Sequence, residues 1–250
     1  MVREFANIQQ ASRAAAKYIL ELARSAVMDK GFCTIVLAGG STPQLTYKIL
    51  SEPANGEQMP WQQCHFFWGD ERWVAATHPV SNFAMADKAL LSKVLIPPQN
   101  IHQITTGHTS PEISAEMYEK HLRDFFHSHS RAEITSSADD SPLPKFDLVL
   151  LGMGPDGHTA SLFPGTNLLE EKKKWVAAVP HKAGAIQVPR ITLTLPVLNQ
   201  ADNILFLISG SEKKAVLNTI LRWPEEAEKY YPAARIRPAG NLVWLVAENP

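Results

Sequence analysis

Cysteine is scarce in this chain. Its 250 residues contain two, Cys33 and Cys64, and both lie in short apolar runs of strand-like composition. A disulfide framework is therefore excluded as the organising principle, and the pair reads as reduced core residues. Neither the cysteines nor the histidines show metal-ligand spacing, and no metal is expected; His127 and His129 sit at a polar helix end and read as a solvated face. An excess of charge is lacking too. The formal net charge of −1 excludes global attraction to nucleic acid or to an anionic membrane. Any anionic ligand must then be held by a local cluster of Arg, Lys and backbone amides. No apolar run approaches the roughly 18 residues that a membrane span needs. The N-terminal MVREFANIQQ carries early charges and no signal-peptide core. A soluble, cytoplasmic protein is expected.

What is present is an alternation of apolar strand-like runs and helical patterns. The length suits one large domain over residues 1–250, and 45% hydrophobic residues supply an ordinary core. Apolar spacing predicts helices over residues 5–28, 44–50, 81–94, 111–127 and 210–221. Strands are predicted over 32–37, 64–68, 101–104, 146–151, 175–179, 191–195, 203–209 and 242–247, with polar loops over 128–144 and 181–188. This order predicts a single Rossmann-like α/β domain with a mainly parallel sheet flanked by helices. No internal repeat is visible.

Residues 146–164, FDLVLLGMGPDGHTASLFP, carry the chemistry. A buried strand delivers Asp156 and His158 to a glycine-rich turn, at the sheet edge where α/β proteins keep their ligands. The glycines allow close backbone approach, and Asp156 and His158 supply proton-handling groups. Gly152-x-Gly154-x-x-Gly157 also matches the dinucleotide-binding fingerprint, but its context is wrong. Pro164 cuts short the helix that the fingerprint requires. The next strand ends in Pro180-His181-Lys182, with no carboxylate for a ribose. No cofactor is expected. Ser161 lies near His158, yet neither it nor any other serine sits in a Gly-x-Ser-x-Gly elbow, so a covalent serine nucleophile is disfavoured.

Two further turns hold candidate ligand-binding residues. Gly39, Gly40, Ser41 and Thr42, followed by Pro43, join a strand to a helix. Free N–H groups, hydroxyls and the helix dipole at that point suit an anion. The same residues also suit a plain strand-to-helix turn with a Ser or Thr cap, and the stretch alone does not choose. Gly69-Asp70-Glu71-Arg72, between Trp68 and Trp73, reads either as a solvated rim or as part of a site.

Four segments, in chain order, are similar to signature segments of the glucosamine-6-phosphate isomerase/6-phosphogluconolactonase family. They are LAGGSTP (37–43), WGDERWV (68–74), GMGPDGHTASLFP (152–164) and PRITLT (189–194). Deaminases of that family end the third segment in Asn-Glu-Pro; here Ser161-Leu162-Phe163-Pro164 lacks the carboxylate, which points to the lactonase side. The resemblance implies hydrolysis of 6-phospho-D-glucono-1,5-lactone to 6-phosphogluconate, in the oxidative pentose phosphate pathway. It implies that Arg72 contacts substrate, that Asp70 holds hydroxyls or orients other groups, and that Gly39 to Thr42 bind phosphate. Arg190 and Lys213 would supply the phosphate's cations, with Lys214 leaving the register of the second one open.

A lactone carbonyl is already electrophilic, so the remaining tasks are to activate a water and to support the oxyanion. His158 is the candidate base, with Asp156 and Asp70 as orienting partners. An Arg or the amides of the central turn would serve the oxyanion. The expected partner is a small sugar-phosphate lactone. A monomer is the default expectation, although the sequence does not fix oligomeric state. The competing functions are a deaminase-isomerase and a non-catalytic sugar-phosphate sensor.

Overall fold

The computed structural model describes residues 1–129, 142–179 and 187–248, so the loops expected over 128–144 and 181–188 lie largely outside the described residues. Strand β1 (Val2–Phe5) precedes helix α1 (Ile8–Lys30). Strand β2 (Cys33–Leu37) leads into α2 (Ser41–Leu50) and the one-turn α3 (Pro53–Gly56). Next come β3 (Cys64–Trp68), β4 (Asp70–Arg72), α4 (Asn82–Ala89), β5 (Ile101–His102) and α5 (Pro111–Ser128). The second half holds β6 (Leu148–Leu151), β7 (Val176–Val179), β8 (Arg190–Leu193), the short α6 (Leu195–Asn199) and β9 (Asn203–Ser209). It closes with α7 (Ser211–Arg222), α8 (Pro224–Ala227) and β10 (Asn241–Ala247).

Seven strands form one parallel sheet in the order β1-β10-β9-β6-β2-β3-β5. Every residue of β2 and β6 is buried, which is why both read as unbroken apolar runs rather than as alternating ones. Cys33 and Cys64 are free, buried and partners in register. Successive strands β2, β3 and β5 step outward in one direction, whereas β6, β9 and β10 step in the other. The reversal falls between β2 and β6, and the crevice at their carboxyl ends is where a sheet of this kind receives a ligand.

The structure corrects several expectations. The N-terminal helix was expected from residue 5, but residues 2–5 form an edge strand whose Phe5 pairs with Ala247. Asn7 then caps α1, its side chain accepting from the Gln10 N–H at 3.0 Å. The charged run after Trp68 is itself a strand, and with β8 and β7 it builds a second, three-stranded antiparallel sheet. The α4 helix stops at Ala89, because Leu90 leaves the helical region at φ −139°.

His129 does not face only solvent. Its ring stacks on Phe125 at 4.1 Å and packs against His65 and Phe32. His65, His102 and His121 are strung together by ring-nitrogen contacts of 3.0 and 2.8 Å. They are linked in a line rather than converging, and no group of three His, Cys, Asp or Glu side chains among the described residues is placed to hold a metal. No helix among the described residues is long and apolar enough to cross a membrane.

Candidate active site

The first wall of the site is the β2–α2 junction. Tyr47 is wholly buried and clamps the end of β2: its hydroxyl accepts from the Ala38 N–H at 2.9 Å and donates to the Ala38 carbonyl at 2.8 Å. The helix begins at Ser41, earlier than its apolar spacing indicates, and neither Ser41 nor Thr42 caps it. Gly40 is the N-cap, at φ 106°, with no side-chain acceptor for the first amides. That conformation strains any residue with a Cβ, and it leaves the positive end of the helix dipole open. Gly39 is required for another reason. A Cβ there would lie 2.0 Å from Oδ1 of Asn82.

The β9–α7 junction repeats this design. Gly210 caps α7 at φ 97°, again without a side-chain acceptor, and Thr42 Oγ1 lies 3.4 Å from Ser209 Oγ. Lys213, in the first turn of α7, lines the same cavity as Ser41 and Thr42. Burial pushes its ammonium below the usual lysine range. Lys214 is spent elsewhere, on ion pairs with Glu4 (2.8 Å) and Glu248 (3.4 Å). Of the two lysines, Lys213 is the one that lines the cavity.

Strand β4 brings the charged run in with strand alternation. Asp70 and Arg72 line the cavity. Glu71 lies between them and does not: it is 2% exposed and accepts hydrogen bonds from the N–H groups of Asn82 (2.7 Å) and Phe83 (2.8 Å) and from Ser81 Oγ (3.0 Å). A carboxylate at a helix N-terminus complements its dipole, so Glu71 ties β4 to α4. Burial raises its pKa, against the lowering effect of those backbone donors. Of the charged run, then, only Asp70 and Arg72 face the cavity, as the two-residue side-chain period of a strand requires. Arg190, paired with Arg72 across β4 and β8, also lines the cavity. Burial lowers its pKa while the Asp70 carboxylate pulls it back up.

The third wall is the turn after β6. No helix follows Gly157. The chain instead folds back in a tight turn, with the Gly154 N–H donating to the His158 carbonyl (2.9 Å) and Thr159 Oγ1 to the Gly152 carbonyl (2.8 Å). The dinucleotide fingerprint is thereby missing its helix as well as its acid. A Cβ on Gly154 would strike the His158 ring at 2.2 Å, so that glycine makes room for the imidazole. His158 Nδ1 lies 2.5 Å from Asp156 Oδ1, which also accepts the His158 N–H at 3.2 Å. With Nδ1 engaged, Nε2 is the nitrogen left for a ligand or a water. Asp70, the other expected orienting partner, makes no bond to His158 among the described contacts.

These walls enclose a cavity of about 290 Å³ lined by Gly39, Gly40, Ser41, Thr42, Asp70, Arg72, His158, Arg190 and Lys213, among others. Asp156 reaches it through His158. Sequence reasoning missed the residues behind the lining. Asn82 donates to both the carbonyl (2.8 Å) and Oδ1 (3.1 Å) of Asp70. Ser161, weighed only as a nucleophile, is wholly buried and donates to Asp70 Oδ2 at 2.6 Å. Phe163 packs its ring on His158, centroids 4.6 Å apart, and lies 5.3 Å from the Arg190 guanidinium. Ser161 had a signal, its place inside the 152–164 segment, whereas Asn82 lies outside all four segments and had none.

Comparison with known proteins agrees with this geometry. The family model described as glucosamine-6-phosphate isomerases/6-phosphogluconolactonase matches residues 6–244. A 6-phosphogluconolactonase of Synechocystis sp. is 41% identical over 224 residues, covering 90% of this chain and 85% of its own. The crystal structure of 6-phosphogluconolactonase from Thermotoga maritima superposes with a TM-score of 0.81 at 32% identity, over 99% of each chain. The three-dimensional structure of the Trypanosoma brucei 6-phosphogluconolactonase gives 0.82 at 32% identity, over 99% of this chain and 95% of its own. The chain belongs to the glucosamine-6-phosphate isomerase/6-phosphogluconolactonase family, among its lactonases.

Proposed function

We propose that this chain, acting as one lactonase domain, hydrolyses 6-phospho-D-glucono-1,5-lactone to 6-phosphogluconate in the oxidative pentose phosphate pathway. The observation that carries the reading is one cavity in which His158, paired with Asp156, faces the glycine-capped N-terminus of α2 together with Arg190 and the Lys213 of α7. The α2 and α7 amides, the Ser41 and Thr42 hydroxyls, Arg190 and Lys213 hold the phosphate, for which a planar guanidinium and open helix ends are suited. His158 Nε2 takes a proton from a water whose oxygen attacks the lactone carbonyl. The tetrahedral oxyanion is supported by Arg72 or by amides of the 152–157 turn. Collapse breaks the bond to the ring oxygen, which leaves with the proton from His158. Asp156 holds the imidazole through Nδ1. The scheme calls on no metal or cofactor, because the carbonyl is electrophilic and the ring oxygen needs only a proton.

The experiment is a coupled assay. The lactone is generated enzymatically from glucose 6-phosphate, and its loss is followed with and without this protein. Faster loss than the spontaneous hydrolysis is expected; loss at the spontaneous rate would overturn the reading.

A further inference from the structure

Asp70 is 7% exposed, yet it lines the cavity. Both of its oxygens are held from behind the cavity wall. Oδ1 accepts from Asn82 Nδ2 at 3.1 Å, and Oδ2 accepts from Ser161 Oγ at 2.6 Å. A buried carboxylate left without such donors would carry the cost of unmet hydrogen bonds. Each oxygen has a second acceptor position, so the two anchors leave capacity for substrate hydroxyls.

Ser161 is itself fixed rather than free to turn. It is wholly buried and absent from the cavity lining. Its N–H donates to Thr192 Oγ1 at 3.2 Å, and Thr192 is the residue of β8 paired with Asp70 across the antiparallel sheet. Ala160, immediately before it, has φ 47°, a conformation that a residue with a Cβ adopts only against strain. That strained residue turns the chain between His158, in the cavity, and Ser161, behind it. A hydroxyl proton committed to Asp70 is not available to His158, which removes Ser161 as a nucleophile and leaves it a different task.

We propose that Ser161 is the positioning residue for Asp70, its hydroxyl fixing the carboxylate that receives the hydroxyls of the bound sugar and linking it to the turn that carries His158. The inference rests on the lactonase reading of this cavity. It predicts that Ser161 acts through Asp70 alone, which a residue serving only to pack the wall would not do.

The test is a double-mutant cycle in the full chain, with Ser161→Ala and Asp70→Ala made singly and together. It is read as kcat/KM for the phosphorylated lactone and as calorimetric binding of 6-phosphogluconate. Ser161→Ala is expected to lower both by about 10-fold, the scale of a lost hydrogen bond to a charged group. It is expected to cost nothing further once Asp70→Ala is present. Ser161→Cys, closer in volume and a weaker donor, carries the same cycle if the alanine variant does not fold. Additive losses in both readouts would overturn the positioning role while leaving the lactonase reading intact. Non-additive losses in binding, with no lactone turnover by the wild type, would overturn the lactonase reading and keep the Ser161–Asp70 coupling.

Discussion

Thr42 Oγ1 and Ser209 Oγ lie 3.4 Å apart, and that contact joins the amino end of α2 to the carboxyl end of β9, one residue before the Gly210 cap of α7. Two open helix ends thus meet beside Lys213 and Arg190. An anion held there is held by all of them together. Replacing Arg190 or Lys213 by Ala should weaken binding of the phosphorylated lactone by about 1.5–3 kcal/mol, the scale of a hydrogen bond between charged groups. Steady-state kinetics on gluconolactone provide the control, for which KM should change little. Equal losses on both substrates would show that the cation does not read the phosphate.

Asp156 is expected to act on rate through the His158 ring. Its carboxylate accepts from the backbone as well as from Nδ1, so Asp156→Asn keeps the turn while altering the partner of the imidazole. The side chain is 46% exposed, and solvent screening limits the effect. A fall in kcat of about 10-fold is expected. An unchanged kcat would reduce Asp156 to a turn-forming residue.

The histidine string sets an acid limit on stability. Burial, reinforced by neighbouring histidines, lowers the pKa of His102 to about 3 and that of His65 to about 4, against about 6.5 in an unfolded chain. Both are therefore neutral in the fold where the unfolded chain would bind protons. Their contribution is fully present above about pH 6.5 and is lost as pH falls from there toward pH 4 and 3. Each extra proton bound on unfolding removes about 1.4 kcal/mol per pH unit. Thermal melts should show wild-type stability dropping across that window. The gap between the wild type and His102→Gln should narrow as the pH falls; a gap constant from pH 7.5 to 4.5 would contradict this.

Phe163 is expected to mark the chain as a lactonase rather than a deaminase. Its ring packs on His158 and lies near Arg190, at the place where the deaminase segment carries its glutamate. Glucosamine 6-phosphate should release no detectable ammonia with this protein. Release at a rate comparable to lactone hydrolysis would contradict the placing of the chain among lactonases.

Much of the frame was legible in the sequence because it depends on local signals. Strands β3 and β9 have the bounds that their apolar runs give, and the glycine turns mark the carboxyl ends of β2, β6 and β9 where the cavity opens. What escaped depends on partners far along the chain. Strand β1 is recognisable only through its pairing with β10, at Phe5 and Ala247. The inward and outward alternation of Asp70, Glu71 and Arg72 follows from pairing with residues 190–192. A charge run has no period that would reveal it. The Ser161–Asp70 bond spans 91 residues, and no motif spacing encodes it. His127 and His129 are exposed, as expected at a polar helix end; only the added ring contacts of His129 with His65 of β3 and with Phe32, the residue before β2, depend on distant partners.

The most direct measurement is the rate of His158→Asn on 6-phosphogluconolactone, read above the spontaneous hydrolysis. Asn keeps a polar side chain of similar reach but takes no proton near neutral pH. A positioned general base contributes roughly 10²–10⁴ in rate, and kcat should fall by about that factor. KM should change little, because the proposed phosphate site lies at α2 and α7, away from His158. The acid limb of the kcat/KM profile should disappear with the imidazole. A variant that keeps most of the wild-type kcat would contradict the account and make Asp70 the leading candidate for the base.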